Sequence, residues 1–236
     1  MDVPLLALVH SPLTGPSAWE PVAGPLRDRG FPVAVPRLQE ALDAGPPYHP
    51  AVAASVGRRI AEAGAGREVV LVAHSGAGAL LPAVADAVPL VRGAVFVDAL
   101  LPHPGSTWFE SVPSATRERL LALAEGDRLP EWSDWFPPEA MAELLPEAER
   151  RRRFIAELPR APLAYFREAA PDPGTWPPEH CFYLRLSEAY REAAAEAERR
   201  GRPVRVLDGD HLTIMTDPGP VAELLAEFIA ERWEGR

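Results

Sequence analysis

The sequence predicts an α/β protein, a mostly parallel six-stranded sheet with helices on both faces and a helical lid inserted in the middle of the chain. Three observations lead there. Short apolar runs alternate with helical patterns, the βαβ rhythm of a parallel sheet covered on both sides. The side chains best equipped for chemistry, His10, Ser75, Asp98, Ser187 and His211, fall at the carboxyl ends of apolar runs, where such sheets collect their sites. Between about residues 102 and 178 the alternation stops, and short helical segments separated by prolines take over.

Each element has its own justification. Residues 5–9 form a five-residue apolar run behind Met1-Asp2-Val3-Pro4; with no positive charge ahead of it, it reads as a first strand and not as a secretion signal. A helix over 19–29 and a strand over 32–35 follow, then a helix over 50–63. The next strand, 69–73, runs into small residues and a helix over 76–87, and 93–97 is the fourth strand. Inside the insertion, helices are expected over 116–125, 139–158 and 163–169. Strands over 183–186 and 204–207 and a helix over 218–233 complete the chain. The 236 residues, 47% hydrophobic, suit one domain, 1–236, with a lid inserted at 102–178. That lid holds Trp108, Trp132, Trp135 and Trp176, four of the six tryptophans. They either line an apolar substrate pocket or fasten small helices to the body.

Composition removes several functions. A net charge of -10, with a single basic run at 150–153 inside an acidic helical segment, speaks against nucleic-acid binding. All 24 basic residues are arginine, and neither lysine nor asparagine occurs. A Schiff-base lysine, a phosphate-loop lysine, a Ser-Lys dyad, a Cys-His-Asn site and an N-glycosylation acceptor are therefore impossible. The one cysteine, Cys181, opens an apolar run and reads as a buried structural thiol, and it allows no intramolecular disulfide. No apolar run approaches the ~20 residues of a membrane span. The expectation is a soluble, cytoplasmic monomer or homodimer that meets a small-molecule ester and needs neither membrane nor nucleic acid.

The densest chemical signal is Val69-Val70-Leu71-Val72-Ala73-His74-Ser75-Gly76-Ala77-Gly78. A strand that turns sharply into a helix at a serine flanked by small residues is a nucleophile elbow. Alanine stands at both positions, 73 and 77, where glycine is usual. Downstream, Asp208-Gly209-Asp210-His211 closes the last strand and places His211 where a general base for Ser75 belongs. For the acid, Asp98 is preferred because it ends an apolar strand. Glu188 is the runner-up and Asp210 ranks third, while Tyr190 occupies the place after the penultimate strand where aspartate is expected. The oxyanion donors are expected to be the amides of Gly76 and Leu13, with the Ser11 hydroxyl as a side-chain contributor, because Pro12 has no amide hydrogen. His10 and His74 read as bracing residues. With Ser11, Trp108, Trp132 and Trp135 they are the candidates to line the pocket. His49, His103 and His180 lack the spacing of a metal site.

Taken in chain order, His10-Ser11-Pro12, the elbow at Ser75, Val95-Phe96-Val97-Asp98 and Gly209-Asp210-His211 resemble the α/β-hydrolase superfamily over essentially the whole length. The compact size and late Gly-Asp-His are similar to the branch of plant methylesterases and hydroxynitrile lyases and to small bacterial hydrolases. The resemblance implies a sheet without the two customary N-terminal strands, a lid, no cofactor, Ser75 as nucleophile and His211 as base. This chain departs from the pattern in its elbow alanines, in Pro12 and in having no aspartate after the penultimate strand. The expected activity is hydrolysis of small to medium carboxylic esters, thioesters or lactones through an acyl-enzyme. The alternatives are a C–C lyase in which Ser75 and His211 move a proton, and a catalytically silent small-molecule binder. A lyase of this branch often relies on a lysine that this chain does not have.

Overall fold

The computed structural model describes residues 3–64, 66–174 and 176–233. The apolar runs become β1 (Leu5–Val9), β2 (Val33–Ala34), β3 (Val69–Ser75), β4 (Val91–Ala99), β5 (His180–Arg185) and β6 (Val204–Val206). They make one sheet in the order β2-β1-β3-β4-β5-β6. Every pairing is parallel, a stricter outcome than the mostly parallel sheet expected. β2 is short because Pro32 and Pro36 bracket it and proline cannot donate to a ladder. The chain moves from β1 outward to β2 and then crosses to β3 on the other side. The strand order thus reverses between β1 and β3, the place where a crevice opens above a parallel sheet.

Alternation along the strands divides the core in two. Leu5, Ala7, Val9, Leu71, Ala73 and Phe96 face one layer, built on Val52, Val56 and Val84 of the helices Tyr48–Gly64 and Leu81–Ala87. Leu6, Leu8, Val70, Val72, Val95 and Val97 face the other, against Val22, Leu26, Val221 and Phe228 of Glu20–Asp28 and Pro218–Trp233. Strands covered on both faces need continuous apolar runs, which is why they were legible. Among the described residues, no helix is long and apolar enough to cross a membrane.

Between β4 and β5 the chain forms the helices Trp108–Ser111, Ser114–Leu123, Ala140–Leu144, Ala148–Ile155 and Leu163–Arg167, with a 3-10 turn at Trp132–Trp135. The single helix expected over 139–158 is two, divided at Pro146. Glu147 restarts the second by accepting the amides of Glu149 at 2.8 Å and Arg150 at 3.0 Å. Phe109, Leu120 and Phe166 of this insertion pack into the first core layer, and Met141 and Phe154 into the second. A segment that leaves the carboxyl end of β4 and packs on both layers spans the carboxyl ends of the strands. Two carboxylates fasten it. Glu168 accepts the amides of Tyr48 (2.8 Å) and His49 (2.9 Å) at the start of the helix Tyr48–Gly64, and Glu157 accepts the Ser17 amide at 2.8 Å. Helix N-termini offer unpaired amides and a partial positive charge, so an acidic side chain is favourable there.

After β3 the chain makes a 3-10 turn, Gly76–Leu80, before the α-helix Leu81–Ala87. Here Gly78 is the residue that permits close packing. A Cβ at this position would lie 2.0 Å from the Leu100 carbonyl oxygen and 3.1 Å from Ala99 Cβ. Ala77, at the position where glycine is usual, is fully buried, and the close approach to the neighbouring backbone falls at Gly78. Gly78→Ala is expected to destabilise the fold by about 2–3 kcal/mol, measured by denaturant unfolding. Unchanged stability would contradict this account of the elbow.

Candidate active site

β3 delivers Ser75 with φ 58° and ψ -130°, a conformation that costs a non-glycine residue on the order of 1–3 kcal/mol. The surroundings hold it there. The Ser75 carbonyl accepts the Leu100 amide at 3.0 Å, and Ser75 pairs with Ala99 at the end of the β3–β4 ladder. The strain lifts a half-buried hydroxyl out of the strand end. Among the described residues the partner of Ser75 Oγ is the Tyr190 hydroxyl at 3.3 Å; no hydrogen bond joins it to His211.

Asp98 reaches the site through an irregularity in β4. His74 pairs with Val97 and Ser75 with Ala99, so Asp98 is the extra residue of a β-bulge, and its φ is 44°. Bulges bend a strand and re-aim a side chain. Here the carboxylate swings across the end of β5. Oδ1 accepts the amides of Leu186 (2.9 Å) and Ser187 (3.0 Å). Oδ2 accepts the Ser187 hydroxyl at 2.6 Å and His211 Nδ1 at 2.7 Å. Burial opposes the charged carboxylate, but the bonds from His211 and Ser187 outweigh it and hold the group below its ordinary pKa. An ionised carboxylate only accepts, so Nδ1 carries the proton and Nε2 of a neutral His211 keeps a free lone pair.

Aromatic rings fix the imidazole in place. His74 stacks on it with centroids 4.4 Å apart and planes 28° apart, and the His74 Nε2–H donates to the His211 carbonyl at 2.9 Å. Burial, with His211 close by, pushes the His74 pKa down to about 3, so His74 is a neutral brace. Tyr190 stacks at 5.0 Å and 6°. Trp132, from the insertion, lies 6.3 Å from the imidazole centroid.

On the other side, Ser11 and Pro12 approach the elbow. A Cβ on Gly76 would stand 3.2 Å from Ser11 Oγ and 3.6 Å from Pro12 Cδ. The Leu13 amide donates to Ser11 Oγ at 3.2 Å, so the amide expected as the second oxyanion donor is taken up within the loop, and the Ser11 hydroxyl is the group that stands beside Gly76. His10 is fully buried, its Nδ1–H donates to the Ser11 carbonyl at 2.8 Å, and burial pushes its pKa down to about 4. It braces the loop as a neutral ring.

Some expected residues lie elsewhere. Glu188, the runner-up acid, is exposed and paired with Arg185 and Arg191, because the 3-10 turn Glu188–Tyr190 directs it to solvent. Asp210 accepts the Leu212 amide at 2.7 Å and shapes the turn after the last strand. Trp108 packs on Phe109 and Phe166, and Trp135 bonds to the Pro130 carbonyl at 3.1 Å. Those two tryptophans fasten the insertion, and Trp132 alone of the three pocket candidates touches His211. Ser187 stands in the sequence among the chemistry-bearing side chains at strand ends but without a particular role, and Tyr190 has none there. The available signal was their place after the penultimate strand, where an aspartate was sought. Among the described residues, no group of three or more His, Cys, Asp or Glu could hold a metal ion.

Comparison with known proteins bears on the family and the fold. Residues 6–224 match a family described as the alpha/beta hydrolase family. No curated protein matches. Among solved structures, an extracellular alpha/beta-hydrolase from a Paenibacillus species is similar at TM-score 0.74 and 19% identity, over 95% of this chain and 98% of that one. A pyrethroid hydrolase from Sphingobium faniae JZ-2 is similar at TM-score 0.72 and 22% identity, over 99% of this chain and 100% of that one. Tomato methylketone synthase I is similar at TM-score 0.73 and 17% identity, over 98% of this chain and 99% of that one.

The Asp98 bonds link stability to pH. Folding lowers the pKa of Asp98, so its contribution is complete above the unfolded value of about 4 and is lost as the pH falls through the lower folded value. Asp98→Asn is expected to be less stable than the parent by about 2 kcal/mol at neutral pH, with the difference shrinking below about pH 4. Denaturant unfolding at several pH values measures it, and a difference independent of pH would contradict the assignment.

Proposed function

The chain belongs to the alpha/beta hydrolase family, and on that footing we propose that it is a serine hydrolase of small to medium carboxylic esters, thioesters or lactones. The observation that carries the reading is the 2.7 Å bond from His211 Nδ1 to a fully buried Asp98, at the same sheet end as a strained, half-exposed serine. That bond sets the tautomer of a base, and the elbow sets the direction of a nucleophile.

Ser75 Oγ attacks the carbonyl carbon while His211 Nε2 takes its proton. The Gly76 amide and the Ser11 hydroxyl, itself bonded by the Leu13 amide, donate to the resulting oxyanion. Collapse breaks the bond to the alcohol or thiol, which leaves with the proton from His211. Water, deprotonated by His211, then attacks the acyl-enzyme and releases the acid and free Ser75. Asp98 remains ionised and stabilises the imidazolium in both steps. Unliganded hydrolytic sites commonly hold these contacts loosely and tighten them with substrate. The insertion acts as a lid, with Trp132 the aromatic nearest the imidazole. A cytoplasmic site of action belongs to the same proposal and rests on the single cysteine, Cys181.

One observation favours a non-hydrolytic reading, as a lyase or a binder: Ser75 Oγ is bonded to Tyr190 and not to His211. Turnover of a short-chain nitrophenyl ester separates the two. Ser75→Ala and Asp98→Asn are each expected to lower kcat by about 10³-fold or more, with circular dichroism showing folded protein. Equal slow rates in the parent and Ser75→Ala would move the non-hydrolytic reading ahead.

A further inference from the structure

Among the described residues, Tyr190 is the one whose side chain meets both the nucleophile and the base. It ends the 3-10 turn Glu188–Tyr190 after β5. Its hydroxyl is 3.3 Å from Ser75 Oγ, and its ring lies parallel to the His211 imidazole with centroids 5.0 Å apart. His74 stacks on the same imidazole at 4.4 Å. Two near-parallel rings thus pack on the one imidazole. The bulge in β4 makes this arrangement possible. With the acid supplied by Asp98, the place after the penultimate strand is free for a phenol.

Resting on the serine-hydrolase reading above, we propose that Tyr190 is a further catalytic residue, whose phenol donates a hydrogen bond to Ser75 Oγ while its ring confines the imidazole of His211. The direction of that bond follows from proton economy. Ser75 has one proton, and His211 must receive it; with Tyr190 as donor, Oγ accepts and its own proton is free for Nε2. Burial pushes the phenol up to about 12, so it stays protonated at neutral pH and donates without transferring its proton.

The bond grows stronger where it helps the reaction. As the Ser75 proton moves to His211, negative charge develops on Oγ and the Tyr190 O–H stabilises it more than it stabilises the resting hydroxyl. In breakdown of the acyl-enzyme, the bond between the acyl carbon and Oγ breaks with its electron pair on Oγ, which takes a proton from His211. The same phenol faces the same developing charge in that step.

The test compares the parent, Tyr190→Phe and Tyr190→Ala in two assays, labelling of Ser75 by a fluorophosphonate and steady-state hydrolysis of a nitrophenyl ester, with melting temperature as the folding control. Tyr190→Phe keeps the ring and is expected to retain the melting temperature and KM, with labelling rate and kcat about five- to tenfold lower. Tyr190→Ala is expected to fall further, because the imidazole also loses one wall. If Tyr190→Phe labels and turns over at the parent rate or faster, the phenol has no catalytic role while the serine-hydrolase reading stands. If the parent itself is not labelled, that reading fails and this proposal fails with it.

Discussion

Asp98 accepts four hydrogen bonds, and through them one carboxylate joins three parts of the chain distant in sequence. Two amides and a hydroxyl come from the end of β5, and the fourth donor is the imidazole that follows β6. A charge so deeply buried is costly unless its acceptor sites are filled. The folded state therefore favours the arrangement in which β5 ends beside the bulge in β4 and His211 turns inward. The tautomer of His211 is a consequence, as is the availability of its Nε2.

The elbow supplies the opposing constraint. Ser75 occupies an unfavourable backbone conformation, and its neighbours pay for it through tight packing, with Gly78 under the Leu100 carbonyl and Gly76 beneath Ser11 and Pro12. Ser75 and the bulged Asp98 are two of the three non-glycine residues with positive φ among the described residues. Backbone strain thus collects at the one sheet end where the chemistry-bearing side chains meet, as it does where local geometry serves a site.

Most of the architecture was legible because it is written in local patterns. The central strands carry continuous apolar runs, since both faces of the sheet are covered there, and the turn at Ser75 and the late His211 are short motifs. What was hard to read depended on register. Asp98 could be ranked over Glu188 only by position, because the bulge that re-aims it arises from pairing with β3 and has no signature in β4 itself. Tyr190 looked like a missing aspartate, since its ring reaches the site only after the turn beyond β5 curls back. The division of the 139–158 helix was signalled by Pro146 and not used. The tryptophans of the insertion could not be sorted, because a large ring that fastens a helix and one that faces a site have the same sequence appearance. The structure separates Trp132, beside His211, from Trp108 and Trp135.

The account depends most on the bond between Asp98 and His211, and proton NMR reads it directly. A carboxylate-bound Nδ1 proton gives a far-downfield imidazole resonance. The account predicts one such signal in the parent, its loss in Asp98→Asn and in His211→Gln, and its retention in Glu188→Gln. A signal that survives Asp98→Asn and disappears in Glu188→Gln would place the acid after β5 and contradict the arrangement from which the rest follows.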